Sequence, residues 1–257
     1  MDHIVIYGIL NVTPDSFSDG GNFFDTSVAV DHALQMVSEG ADVIDIGGMS
    51  TRPGFTNISE DEEISRVVPV IKAVKEKDPS VLISVDTFRA SVAEASIEAG
   101  ADIINDITGL MGDECMASVI ASSGVEAVLM RDGFGDSDEP WEVSLQRTVD
   151  AAKNAGIEDS KIMLDPGVGF TKTREQDIEL IKAIPSMIDK WGYPIFLGVS
   201  RKRITAEFYE QETKASERLG SSIALALYGV ELGAKIVRVH DVLQTRAALN
   251  AYERMKG

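Results

Sequence analysis

Apolar and polar positions along the chain follow two alternating rhythms. Short runs rich in branched aliphatic residues cover Ile4–Leu10, Asp42–Ile46, Val81–Val85, Asp102–Ile104, Val125–Met130, Lys161–Leu164, Pro194–Val199 and Lys235–Val239. They are nearly continuous in apolar character, as expected of parallel strands buried on both faces. The longer segments between them carry apolar residues at helical offsets. In Ser27–Glu39 these are Val28, Val30, Ala33, Leu34 and Val37, and in Ile64–Lys75 they are Ile64, Val67, Val68, Ile71 and Val74. Asp177–Asp189, Ser221–Leu232 and Val242–Arg254 repeat the pattern. The phrase "helix, Gly-Ala, strand" recurs at Gly40-Ala41, Gly100-Ala101 and Gly233-Ala234, with a weaker form at Gly124-Val125. A glycine just past a helix, followed at once by a strand, fits a short connection between the two.

Eight such strand–helix units predict an α/β protein, a single-domain (β/α)8 TIM barrel spanning residues 1–257. The competing architecture is an open doubly wound sheet, but no GxGxxG follows the first strand. Length agrees with the barrel, since 257 residues over eight units leaves room for a strand and a crossover helix in each. Charge narrows the partners. With 24 basic and 42 acidic residues the net charge is −18, which argues against nucleic acid and still permits a small anionic substrate in a locally cationic cleft. The single cysteine, Cys115, rules out an internal disulfide and suits a reducing compartment. The first residues lack a basic signal-peptide region, and no run reaches the roughly 18 apolar residues of a membrane span.

Chemistry in such a barrel belongs at the C-terminal ends of the strands. The runs end in Asn11, Gly47-Gly48, Asp86-Thr87, Asn105-Asp106, Met130-Arg131-Asp132, Asp165-Pro166-Gly167, Ser200-Arg201-Lys202-Arg203 and Arg238-Val239-His240. Asp86, Asn105 and Asp165 are expected to share one cavity with Lys202. Carboxylates and an amide suit a ring edge rich in N–H donors, such as a 2-aminopyrimidinone. Arg52, Arg238 and His240 could meet a phosphate, and Asn11 could join Mg²⁺ together with phosphate oxygens. Asp106 and Asp241 read as helix N-caps, His3 and His32 as incidental, and Cys115 as a packing residue of an outer helix. No HExxH, paired CxxC or GxSxG is present, which disfavours zinc and serine-hydrolase chemistry.

Seven motifs in order carry a resemblance. Gly8-Ile-Leu-Asn-Val-Thr-Pro-Asp-Ser-Phe-Ser-Asp-Gly-Gly21 and Gly47-Gly-Met-Ser-Thr-Arg-Pro-Gly54 are the specific ones. Ser84-Val-Asp-Thr87, Ile104-Asn-Asp-Ile107, Asp165-Pro-Gly-Val-Gly-Phe170, Ser200-Arg-Lys202 and Val237-Arg-Val-His-Asp241 follow. The series resembles the dihydropteroate synthases over almost the whole chain. The resemblance implies a cytoplasmic, homodimeric Mg²⁺-dependent transferase of folate biosynthesis and sulfonamide target. Its substrates would be p-aminobenzoate and 6-hydroxymethyl-7,8-dihydropterin pyrophosphate. It implies a pterin site at Asp86, Asn105, Asp165, Lys202, Met130 and Phe170, and a pyrophosphate site at Arg52, Arg238 and His240. Thr51, Pro53 and Arg203 would lie against p-aminobenzoate, and Asn11 would hold the metal. Asp15, Phe17 and Ser18 would belong to a closing loop, with Asp15 joining Asp86, Arg238 and His240 in catalysis. The dimer would use helices near Ser221–Leu232 and Val242–Arg254.

The chain departs from the commoner family pattern at Met49, Arg131-Asp132, Thr171, Asp177 and Arg203, where Glu, a His-containing pair, Gly, Asn and Ser are frequent. Two other functions belong to related classes. A methyltetrahydrofolate–corrinoid methyltransferase would share the Asp/Asn/Asp set without the first two loops. A non-catalytic pterin-binding paralogue would bind pterin and release no pyrophosphate.

Overall fold

A computed structural model describes residues 3–13, 26–49, 57–136 and 138–256. Asp15, Phe17, Ser18, Thr51, Arg52 and Pro53 lie outside the described residues. Eight strands form one all-parallel sheet: β1 (Val5–Asn11), β2 (Val43–Gly47), β3 (Leu82–Asp86), β4 (Ile103–Asp106), β5 (Glu126–Met130), β6 (Ile162–Asp165), β7 (Phe196–Leu197) and β8 (Ile236–Val239). The hydrogen-bonded order is β6-β5-β4-β3-β2-β1-β8-β7, and a bridge between Leu164 and Ile195 joins the two ends. The sheet is therefore a barrel and not an open doubly wound sheet.

Helices follow the strands: α1 (Thr26–Ser38), α2 (Glu60–Lys77), α3 (Ala90–Glu98), α4 (Met116–Ser123), α5 (Trp141–Ala155), α6 (Arg174–Lys182), α7 (Ile184–Trp191), α8 (Arg203–Ala206), α9 (Leu219–Glu231) and α10 (Val242–Lys256). No helix among the described residues is long and apolar enough to cross a membrane. The repeated Gly-Ala phrase closes helices as expected, with Gly40, Gly100 and Gly233 at φ between +104° and +111°, a region a side chain would resist. Helix α2 starts earlier than the apolar spacing suggested. Ser59 caps it by accepting from Glu62 N, and four acidic residues from Glu60 to Glu63 fill its first turn.

The core has two parts. Outward-facing strand residues such as Ile6, Ile44, Ile83 and Leu164 pack against the helices. Inside the barrel, Tyr7, Val43, Ile103, Val128, Met163, Phe196 and Ile236 fill the lower half, with the Tyr7 and Phe196 rings edge-to-face at 5.0 Å.

Several expectations are corrected. The segment Asp177–Asp189 is two helices that meet at Ala183, because Pro185 suits the first turn of a new helix and not the interior of a continuous one. Strand β7 is two residues long, because its regular ladder is to β8 alone. Asp106 caps a turn and not a helix. Its buried carboxylate accepts from Thr108 N, Thr108 Oγ1 and Leu110 N, while α4 begins only at Met116. Asp241 does precede α10, but its carboxylate is taken by Arg201. Cys115 is an exposed residue at the start of α4 and not a packing residue.

Candidate active site

Period-2 alternation aims one residue of each even strand at the barrel axis above the apolar fill. These residues are Asp45 on β2, Asn105 on β4, Asp165 on β6 and Arg238 on β8. All four carry polar side chains. Asp86 and Met130 stand in register beside Asn105 and Asp165. Asn105, Asp165, Arg238, Asp86 and Met130 form the floor of a cavity of about 510 Å³, with Asp45 buried beneath them, and its wall includes Asn11, Phe170, Ser200, Lys202 and His240.

Arg238 ties the acids together. Its Nε donates to Asp45 Oδ2 at 2.5 Å and its Nη2 to Asp86 Oδ2 at 2.7 Å. Asp45, fully buried, also accepts from Asn105 Nδ2 at 3.3 Å. Burial pushes the Asp86 carboxyl up to about 7; Arg238 opposes the shift, and Asp45 adds to it. Burial also raises Asp165, against the pull of Lys202. Lys202 is lowered by burial and held up by Asp165. Its Nζ donates to Val168 O at 2.6 Å and lies 5.0 Å from the centre of the Phe170 ring. His240 Nδ1 lies 3.0 Å from Ser200 Oγ, which also accepts from His240 N at 3.2 Å.

Asp86, Asn105, Asp165 and Lys202 thus share one chamber, as expected from the strand ends, and Met130 and Phe170, which the resemblance added, line it with them. Arg203, Arg238, His240 and Asn11 line it as well. Arg238 is turned inward onto two carboxylates instead of standing apart at the rim. Two lining or tethering residues were not singled out, Asp45 and Arg218, and Ser200 was named at a strand end without a role. An acid at inward parity in an otherwise apolar strand was the available signal for Asp45. Arg218 holds the β7 loop, with Nη1 on Arg201 O at 3.3 Å and Nη2 on Thr213 O at 2.6 Å. A shallower depression of about 620 Å³ lies on the outer face of α5. Its charges are spread along the helix, with Arg147 on Glu139 and Gln146 on Asp150, and they converge on nothing.

Hydrogen-bond acceptors at one end of the chamber and cations around it define a barrel enzyme for a polar heterocycle with an anionic tail. Residues 7–240 match the family described as "Pterin binding enzyme". A dihydropteroate synthase of Clostridium beijerinckii is 48% identical over 248 residues, covering 95% of this chain and 91% of that protein. The crystal structure of dihydropteroate synthase from Clostridium difficile in the presence of pteroic acid superposes with a TM-score of 0.90 at 41% identity, covering 98% of this chain and 97% of the other. That from Xanthomonas albilineans with 4-aminobenzoic acid gives 0.91 at 37% identity, covering 100% and 94%. The chain belongs to the pterin-binding enzyme family, and within it to the dihydropteroate synthases.

Proposed function

We propose that the chain condenses p-aminobenzoate with 6-hydroxymethyl-7,8-dihydropterin pyrophosphate, releasing pyrophosphate and forming 7,8-dihydropteroate. The observation that carries this is the convergence of Asp86, Asn105 and Asp165 with Lys202 and Arg238 in one chamber. Family relatives named as dihydropteroate synthases favour it over the corrinoid methyltransferase.

An arylamine is neutral and nucleophilic near pH 7, so the demanding step is departure of the diphosphate. In a dissociative substitution the methylene C–O bond breaks and its electron pair leaves with pyrophosphate. The amine nitrogen then forms the C–N bond and loses a proton. Asp165 and Asn105 hold the ring by its N–H edge, and Lys202 closes the pocket against Phe170. Asp86, as the carboxylate, stabilises the positive charge that develops on the pterin. Arg238 and His240, joined by Arg52, face the negative charge of the leaving group. Thr51, Pro53 and Arg203 receive p-aminobenzoate, and Asp15 joins from the first loop.

Asn11 lines the chamber with a neutral amide oxygen. No group of three or more His, Cys, Asp or Glu side chains among the described residues could hold a metal. Such a donor set fits Mg²⁺ shared with diphosphate oxygens and water and not a closed protein cage. Bound there, Mg²⁺ would supply further charge stabilisation for the leaving group. A cytoplasmic homodimer completes the proposal, supported by the exposed apolar side chains Tyr228 on α9 and Leu243 on α10.

Pyrophosphate release with both substrates and Mg²⁺ tests the activity. No release above a protein-free control, with pterin still bound, would assign the chain to the non-catalytic paralogues. Asp165→Ala removes two buried charge-assisted bonds of about 1.5–3 kcal/mol each, so pterin affinity should fall by roughly two to four orders of magnitude. Calorimetry showing unchanged affinity would remove Asp165 from the pterin site.

A further inference from the structure

Three departures from the common family pattern, Arg131, Thr171 and Asp177, converge on one short turn. The turn runs from Pro166 to Thr171, between β6 and α6, and carries two pocket contacts. Its Val168 carbonyl accepts from Lys202 Nζ at 2.6 Å, and its Phe170 ring lies 5.0 Å from the same ammonium. Gly167 and Gly169 let the turn take φ +81° and +89° without strain, and two glycines leave a backbone with much freedom, which support from neighbouring side chains must restrict.

Asp177, buried in the first turn of α6, supplies that support from one side. Its Oδ1 accepts from Gly169 N at 2.6 Å and from Thr171 Oγ1 at 2.6 Å. Thr171 Oγ1 also lies 2.9 Å from Thr173 O. Arg131 supplies it from the other side. A Cβ on Gly167 would lie 2.9 Å from Arg131 Cγ and 3.2 Å from its Nε, so the guanidinium stem is the surface against which the turn rests. Arg131 is itself buried, and its Nε has no hydrogen-bond partner among the described residues. Burial works against its charge, and Asp132, Glu139, Asp177 and Asp165 sustain it. A buried cation and a buried carboxylate therefore flank one turn, Asp177 standing behind Asp132 and Glu139 among the acids that sustain the Arg131 charge. The third residue links that carboxylate to the backbone.

We propose that Arg131, Thr171 and Asp177 act as one set of positioning residues for the pterin pocket, holding the Pro166–Thr171 turn so that Val168 and Phe170 fix the Lys202 ammonium. The inference rests on the pterin reading of the site. It makes the three departures one structural unit: Arg131 backs the turn at Gly167, Asp177 accepts from it at Gly169, and the Thr171 hydroxyl donates to that same carboxylate.

The test reads pterin affinity by calorimetry with 6-hydroxymethylpterin, KM for each substrate, and the melting temperature. Thr171→Val keeps the side-chain shape and removes the hydroxyl. It should weaken pterin binding about tenfold, the effect of one charge-assisted bond, and leave KM for p-aminobenzoate within about twofold. Thr171→Ser should restore wild-type affinity. Asp177→Asn keeps an acceptor oxygen and removes the charge, so it should weaken pterin binding too, and Arg131→Ala, which removes the stem that backs Gly167, should do the same. Wild-type pterin affinity in Thr171→Val and Asp177→Asn, even with a lowered melting temperature, would overturn the proposal. So would wild-type pterin affinity in Arg131→Ala. Asp165→Ala serves as the separate control: if it too binds pterin normally, the pterin reading fails, whereas its loss of binding beside unaffected Thr171→Val refutes only the positioning role.

Discussion

The Asp86 carboxyl is pushed up to about 7 by burial, against Arg238, with Asp45 adding to the rise. A carboxyl raised above its ordinary 3.8 favours the folded state fully only below that value, and this contribution is lost as pH rises through about 7. Activity runs the other way, because the carboxylate is the form that stabilises a pterin cation. The expected result is kcat/KM for the pterin substrate that climbs with pH and levels off above about 7. A flat profile from weakly acidic to weakly alkaline pH would contradict the role. Asp86, Asn105 and Asp165 were legible in the sequence because each ends an apolar run. Asp45 was harder to read, because it lies inside its run; its parity was the one signal, and its contacts with Arg238 and Asn105 establish that it faces the axis. Arg238 shows the opposite limit: its cationic chemistry was legible, and its engagement by two acids from β2 and β3 was not.

Among the elements, α9 makes one of the closest approaches to the sheet. A Cβ on Gly229 would collide with the Leu197 side chain of β7. Gly229→Ala should therefore destabilise the protein by about 1–3 kcal/mol through overpacking, although alanine is the better helix former. Chemical denaturation measures this, and an unchanged midpoint would show that the helix shifts freely. All eight strand positions were legible to within a few residues, because burial on both faces leaves a continuous apolar signature. Helix joints were less so. The break at Ala183 depends on Pro185 falling in the first turn of a new helix, a local rule that apolar periodicity does not carry. The turn after β6 was legible as a glycine signal, while its supports come from β5 and α6 and needed the fold to bring them together.

For the whole molecule, a net charge of −18 surrounds a chamber in which Lys202, Arg203, Arg238 and His240 collect, so the local sign opposes the global one. The proposed dimer belongs to this scale. Leu243, 53% exposed on α10, and Tyr228, 43% exposed on α9, should lie in the shared face. Leu243→Glu combined with Tyr228→Glu should halve the mass seen by sedimentation equilibrium and leave the secondary structure intact. A wild-type chain that sediments as a monomer would reject the dimer. By itself the sequence determined the eightfold repeat, the barrel and the polar strand ends, because strand and helix periods are local properties that burial imposes residue by residue. Only the tertiary structure decided which side chains meet across the axis. Residues far apart in the chain, such as Asp45 and Arg238, become neighbours when the sheet closes, and their mutual charge then sets the character of the chamber.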